Sequence, residues 1–137
     1  MANTLFDFAR QRFLEAQINW MTDTIKVFLV STSAYTPQTA VHQYLSDIPP
    51  SGRIAGPVTL TAKATTGGAA DAADCTFTAV SGATINAIVI CKDTGTEATS
   101  PLIAYIDTAT GLPITPNGGD ITPRSEAANK GAFLAAA

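Results

Sequence analysis

The sequence predicts a mainly β fold: a β-sandwich or partly closed barrel of about seven strands, with an N-terminal amphipathic helix. Three observations carry this. Strand-length runs rich in Thr, Val, Ile and Ala fill the middle of the chain. Turn signals built from Gly, Pro, Asn and Asp separate those runs at short spacing. Near the start, apolar residues recur instead at steps of three and four, the helical period. The 137 residues are read as one domain, with a helix over 4–20, a β core over 24–107 and a hairpin with C-terminal extension over 108–137.

The helix is expected to begin at Thr4, a capping residue with Asp7 three positions on, near the positive helix end. Phe6, Ala9, Phe13, Ala16 and Trp20 form its apolar stripe, widened by Leu5, Phe8, Leu14 and Ile18. Met21-Thr22-Asp23 breaks it, and a strand follows over Thr24–Ser31. That strand starts in alternation and ends in the continuous run Val27-Phe28-Leu29-Val30, which marks a central position buried on both faces. Ser33–Thr39 is loop, stopped by Pro37. Ala40–Leu45 reads as a short helical turn, ended by Ser46-Asp47 and Pro49-Pro50.

Val58–Lys63 alternates as a half-buried strand, and Gly67-Gly68 with its flanking alanines reads as a flexible connection. Cys75–Val80 alternates again and is expected to pair, through the turn Ser81-Gly82-Ala83, with Thr84–Cys91. That hairpin would bring Cys75 diagonal to Cys91, as two buried thiols rather than a bridge. Lys92–Ser100 is a polar loop around Gly95, and Pro101–Asp107 is the next strand. Pro116-Asn117-Gly118-Gly119 is a hairpin-turn signal between Leu112–Thr115 and Asp120–Pro123, whose prolines place the arms at a sheet edge. Gly131–Leu134 is a last short strand.

Composition narrows the function. Charged residues make up 14% of the chain, against about a quarter in an ordinary soluble domain. Thr, Ser, Ala and Gly take their place, a surface easily desolvated and suited to being covered by partners. The net charge of −3, with eight Lys and Arg scattered along the chain, argues against nucleic acid, which needs clustered cations. The longest apolar runs fall far short of the ~20 residues of a membrane-spanning helix. Asp7, Arg10, Arg12 and Glu15 interrupt any signal-peptide core, so a cytosol with reduced Cys75 and Cys91 is the expected place of synthesis.

Catalytic equipment is sparse. His42 is the single imidazole, with Asp47 the only acid near it in sequence, and a surface or loop-packing role suits it. One His and two Cys match no zinc spacing. Asp71, Asp74, Asp93, Glu97 and Asp107 stand in no calcium-loop pattern and fall in or beside turns. Gly67-Gly68 and Asn117-Gly118-Gly119 lack the Lys and Ser/Thr of a phosphate loop. Trp20, Tyr35, Tyr44 and Tyr105 sit on different elements and read as core or interface aromatics. The chain is therefore expected to be no enzyme, to need no cofactor or metal and to take no small-molecule substrate. Phe8, Trp20, Tyr35, Phe133 and Leu134 are its candidate interface residues.

Three stretches together resemble a family of small tailed-bacteriophage virion proteins. Met21-Thr22-Asp23-Thr24-Ile25-Lys26-Val27 is similar to the L-T-D-T-I-K-V segment after that family's first helix. Tyr44-Leu45-Ser46-Asp47-Ile48 resembles its Y-x-S-D-I segment. Lys92-Asp93-Thr94-Gly95 through Ser100–Asp107 resembles its D-T-G-T…S-P-L-I-x-Y-I-D segment. The resemblance spans roughly residues 5–107, by order and spacing of motifs. It departs at Ala55-Gly56-Pro57, where relatives show a Gly-Gly pair, and at Phe77, where they show Trp. It implies a non-enzymatic structural component of the phage particle. The expected role is a head decoration or cement protein on the capsid exterior, made in the host cytoplasm, touching the major capsid protein and copies of itself. A tail or neck component is one alternative. A carbohydrate-binding β-sandwich stacking sugars on Tyr35, Tyr44 or Trp20 is the other.

Overall fold

The computed structural model describes residues 4–66, 69–72, 76–107, 114–121, 123–125 and 134–136. The chain is mainly β, with nine strands among the described residues: β1 (Thr4–Leu5), β2 (Ile25–Val30), β3 (Arg53–Thr59), β4 (Ala64–Thr66), β5 (Ala69–Asp71), β6 (Ala87–Lys92), β7 (Leu102–Ile106), β8 (Pro123–Ser125) and β9 (Leu134–Ala136). One five-stranded antiparallel sheet runs in the order β1-β7-β6-β2-β3, and β4-β5 and β8-β9 form separate two-stranded ribbons. The sheet is open, with β1 and β3 at its edges, so the expected barrel closure does not occur. No second sheet packed face to face as a seven-strand sandwich occurs among the described residues.

The Ile- and Val-rich runs take the middle positions because branched side chains fill both faces of a pleated sheet. Every residue of β7 and all but the last of β6 are buried. Lys26 stands opposite Cys91 and Phe28 opposite Val89, while Val27 meets Ile90 and Leu29 meets Ile88. By strand alternation the first two pairs face one side of the sheet and the last two the other. β2 is central and almost wholly buried, as its apolar run predicts.

The helix α1 (Asp7–Leu14) is much shorter than 4–20. Thr4 and Leu5 pair with Tyr105 and Ala104 at the sheet edge, so the expected cap is spent in a strand and Phe6 takes the cap position without a side-chain bond. Ala16, at φ 58°, turns the chain out of the helix. Phe6 and Ala9 are buried, but Leu14 is 89% exposed, and Ile18 and Trp20 enter the core from beyond the helix. A sheet edge that satisfies several backbone groups overrides a local helix signal.

Three further expectations are corrected. The strand expected over Val58–Lys63 lies earlier, over Arg53–Thr59, and bulges twice against β2. The turn expected at Ala40–Leu45 is displaced: Gln38 accepts from the amides of Val41 and His42, and a 3-10 turn covers Leu45–Asp47. The hairpin joining Cys75–Val80 to Thr84–Cys91 does not form, because β2 and β7 occupy both edges of β6. Phe77 pairs instead with Ile121, and Ile85 with Ile114. The turn at Pro116–Gly119 is present, with the Gly119 amide donating to Asn117 Oδ1 (2.9 Å), but the residues flanking it pair with 77–85 rather than with each other. Cys75 lies outside the described residues. Cys91 is a buried free thiol, its pKa pushed up to about 12 chiefly by burial and secondarily by Asp93.

Candidate functional site

The three family-like stretches are far apart in sequence and meet at one corner of the sheet. The Asp93 amide donates to the Thr24 carbonyl (2.8 Å), and Lys26 Nζ lies 3.0 Å from Asp93 Oδ2. Lys92 Nζ lies 3.3 Å from Asp23 Oδ2 and donates to the Gln17 carbonyl at 2.9 Å. The Leu45 amide donates to the Ser100 carbonyl (2.9 Å), and Tyr44 bridges to Pro101. The loop between β6 and β7 is closed on itself. Gly95 donates to Asp93 Oδ1 (3.0 Å), and Ser100 Oγ donates to the Thr96 carbonyl (2.8 Å).

This corner walls a groove of about 420 Å³ lined by, among others, Lys26, Phe28, Arg53, Pro57, Asp93 and Glu97. Arg53 is its best-anchored side chain. The Arg53 Nη2 donates to the carbonyls of Ile48 (2.7 Å) and Leu45 (3.0 Å), and Nε donates to Ile48 at 3.2 Å. Its outer edge meets both carboxylate oxygens of Glu97, at 2.6 and 3.2 Å, and its guanidinium lies 5.8 Å from the Phe28 ring. The Arg53 hydrogen bond, with its charge, holds the Glu97 carboxyl below the ordinary value. The Gly95 amide and then Lys26 do the same for Asp93. The groove's two cations are thus each matched by a carboxylate of the same chain. Such pairing braces a corner of the sheet.

The pairing has a measurable signature. Asp93→Asn keeps an acceptor for Gly95 and loses the Lys26 pair, so at neutral pH it is expected to cost under about 1 kcal/mol. A carboxyl whose folded pKa is depressed stabilises the fold above its ordinary value of 3.8 and loses that contribution as pH falls through the folded value. Urea midpoints of the two proteins are therefore expected to differ at neutral pH and to converge as pH falls below 3.8 and through the folded carboxyl's lower value.

Of the candidate interface residues, two are buried in the described structure. Trp20 is 8% exposed and Tyr35 2% exposed, both in the chain's own core, so neither ring is offered to a partner. Phe8 is half-buried on α1. Leu134 opens β9, where its backbone pairs with Ser125, and Phe133 lies outside the described residues. Tyr35 Oη lies 3.0 Å from Nδ1 of His42, with the rings stacked 5.4 Å apart, and the Gln38 amide donates to the same nitrogen (3.4 Å). Because that amide only donates, Nδ1 accepts and the ring proton sits on Nε2. Burial holds the Tyr35 hydroxyl protonated, far above its ordinary pKa. His42 is a loop-packing histidine. His42→Phe is accordingly expected to lower stability by about 1 kcal/mol, measured by urea unfolding.

One cluster escapes sequence reasoning. Arg12 Nη2 donates to Gln43 Oε1 (3.1 Å) and Tyr44 Oη (3.0 Å). The guanidinium lies 4.9 Å from the Tyr44 ring centre and 5.9 Å from that of Phe8. Its Nη1 is buried and has no acceptor among the described residues. Phe8 and Arg12 stand four apart on the helix, a pairing legible in the sequence, but nothing there links them to Tyr44.

No His, Cys, Asp or Glu cluster among the described residues is suited to hold a metal, and no described helix is long and apolar enough to cross a membrane. Compared with known proteins, the chain matches no protein-family model and no curated protein.

Proposed function

We propose that this chain is a non-enzymatic structural protein of a tailed-phage particle, a decoration or cement protein that binds the outer head shell and stabilises it. The observation that carries the reading is the convergence of the three family-like stretches. Residues around Thr24, Tyr44 and Asp93 depend on one another for hydrogen bonds and ion pairs. Their meeting in one folded unit supports the reading. The low charge of the chain, 14% of residues, suits a surface covered by neighbours. The partners are the major capsid protein and further copies of this chain. Neither nucleic acid nor a membrane is a partner in this reading.

The sugar-stacking alternative needs open ring faces, and the burial of Trp20 and Tyr35 works against it. Tail or neck placement draws on the same motifs and is separated by copy number. Imaging purified particles and quantifying this chain against the major shell protein tests the proposal. Hundreds of copies spread over the head are expected. A handful of copies, or density confined to the tail, sinks the cement role in favour of a tail or neck part.

A further inference from the structure

The Asn117-Gly118 pair carries a chemistry beyond turning the chain. A backbone amide can attack the side-chain carboxamide of the residue before it, and glycine offers that approach with no side chain in the way. Even an added Cβ at Gly118 would meet nothing within 4 Å. Asn117 and Gly118 are both exposed, so water reaches the reacting atoms. The other described asparagines are less open. Asn19 precedes the bulky Trp20, and half-buried Asn86 precedes Ala87 at the start of β6.

Two hydrogen bonds act on this pair in opposite directions. The Gly119 amide donates to Asn117 Oδ1 (2.9 Å), the atom on which negative charge develops when the carboxamide carbon is attacked, and a donor already in place there lowers the barrier. The Gly118 amide, whose nitrogen must attack, instead donates to the Val80 carbonyl at 2.8 Å, which holds its proton and aims it away from Asn117. That bond belongs to a longer zip. Val80 donates to the Gly119 carbonyl (3.0 Å), Ala79 donates to Asp120 Oδ1 (3.0 Å), and Phe77 and Ile121 exchange both backbone bonds (2.7 and 2.8 Å). Because the Gly119 contact is local to the turn and the Val80 contact is not, opening this arm frees the nucleophile and leaves the donor in place.

We propose that Asn117 is a self-modification site, deamidated by attack of the Gly118 nitrogen with the Gly119 amide as oxyanion donor and the Val80 carbonyl as brake. When the arm opens, water or hydroxide takes the Gly118 amide proton and the nitrogen bonds to Asn117 Cγ. The Cγ–Nδ2 bond breaks and Nδ2 leaves as ammonia, so a cyclic imide remains. Water then opens the imide at Cγ, giving aspartate, or at the Asn117 backbone carbonyl carbon, giving isoaspartate. In the imide the nitrogen has no hydrogen, so the Val80 carbonyl cannot regain its donor. In isoaspartate an extra backbone atom separates positions 117 and 118, and Ile121 loses its register with Phe77 while Ile114 stays opposite Ile85. Modification therefore unlocks the arm for good. The inference stands apart from the virion reading and does not depend on it.

The test incubates the full-length protein in mildly alkaline buffer and follows Asn117 by peptide mass spectrometry, with Asn19 and Asn86 as internal controls. Hydrogen exchange of the Gly118 amide is measured on the same samples, across a series of urea concentrations. Asn117 modification and Gly118 exchange are expected to rise together, with Asn117 reacting about tenfold faster once the Val80 bond is lost. Two variants separate the brake from local charge. Asp120→Ala removes the acceptor of the Ala79 amide and is expected to speed modification about fivefold. Asp120→Asn keeps an acceptor and is expected to react as wild type does. Modified protein, separated by its new carboxylate, is expected to unfold at a lower urea midpoint than unmodified protein. Asn117 reacting no faster than Asn19 and Asn86, or staying flat while Gly118 exchange rises with urea, overturns the inference. Equal acceleration in both Asp120 variants also overturns it, by making the carboxylate charge the brake. An unchanged urea midpoint after modification overturns the unlocking of the arm.

Discussion

Gly56→Ala is expected to destabilise the protein by about 2–4 kcal/mol, seen as a lower urea midpoint with an unchanged slope. Two independent causes act at the same atom. Gly56 sits at φ +112°, a backbone region that side-chain-bearing residues rarely adopt. A Cβ built there falls 2.7 Å from the Val27 carbonyl oxygen and 3.1 Å from the Phe28 Cα, both backbone atoms of the central strand. Neither can retreat without opening the β2–β3 ladder. Gly56 lies inside the first of the two bulges of β3, between the pairs Val27–Val58 and Leu29–Ala55, and the second follows between Leu29–Ala55 and Val30–Arg53. They bend an edge strand away from regular pairing, which also discourages a second chain from adding there. Gly82→Ala is the informative contrast. It also has a positive φ, +124°, but its Cβ would meet only an Ile54 methyl at 3.4 Å, so only backbone strain remains and a smaller loss is expected.

Arg53→Leu is expected to cost a similar amount, about 2–4 kcal/mol, because it strands an acceptor as well as losing contacts. The Ile48 carbonyl receives both its Nε and its Nη2 and would lose both, while the Leu45 carbonyl receives Nη2 but keeps the Ile48 amide (3.0 Å). The substitution keeps the aliphatic bulk over Phe28 and removes every donor. Glu97→Gln, which disturbs only the exposed end of the same side chain, is expected to change stability little. A double-mutant cycle between the two positions checks the division. A coupling near zero at Glu97 with a large effect of Arg53→Leu places the energy in the carbonyls; a large coupling places it in the ion pair.

The strands of the central sheet were readable from composition and period. Val27-Phe28-Leu29-Val30, Ala87-Ile88-Val89-Ile90-Cys91 and Leu102-Ile103-Ala104-Tyr105-Ile106 are runs that only a doubly buried strand accommodates, and all three lie inside the sheet. The polar loop around Gly95 and the turn at Asn117-Gly118-Gly119 were equally legible, because those residues relieve specific backbone conformations. Partner choice was not legible. The segment 77–85 alternates like a hairpin arm, but its partner is 114–121, since β6 has no free edge to offer.

The helix shows the same limit at short range. Its three-and-four stripe runs to Trp20 in the sequence, but the chain leaves the helix at Ala16, and Trp20 reaches the core from a turn. An apolar stripe records which residues are buried, not which backbone conformation buries them. The aromatic candidates show it too: Trp20 and Tyr35 face inward, and exposure depends on neighbours brought in from elsewhere in the chain.

By itself, then, the sequence determined a mainly β chain, its central strands, its principal turns and the absence of a recognisable catalytic or metal-binding spacing. These follow from local period and from residue chemistry, which act over a few positions. Only the tertiary structure decided the strand order, the true length of the helix, the pairing of Lys26 and Arg53 with Asp93 and Glu97, and the contacts of Arg12 with Gln43, Phe8 and Tyr44. Each of those depends on which distant backbone groups and side chains compete for the same edge or the same charge, and that competition is settled only when the whole sheet is assembled.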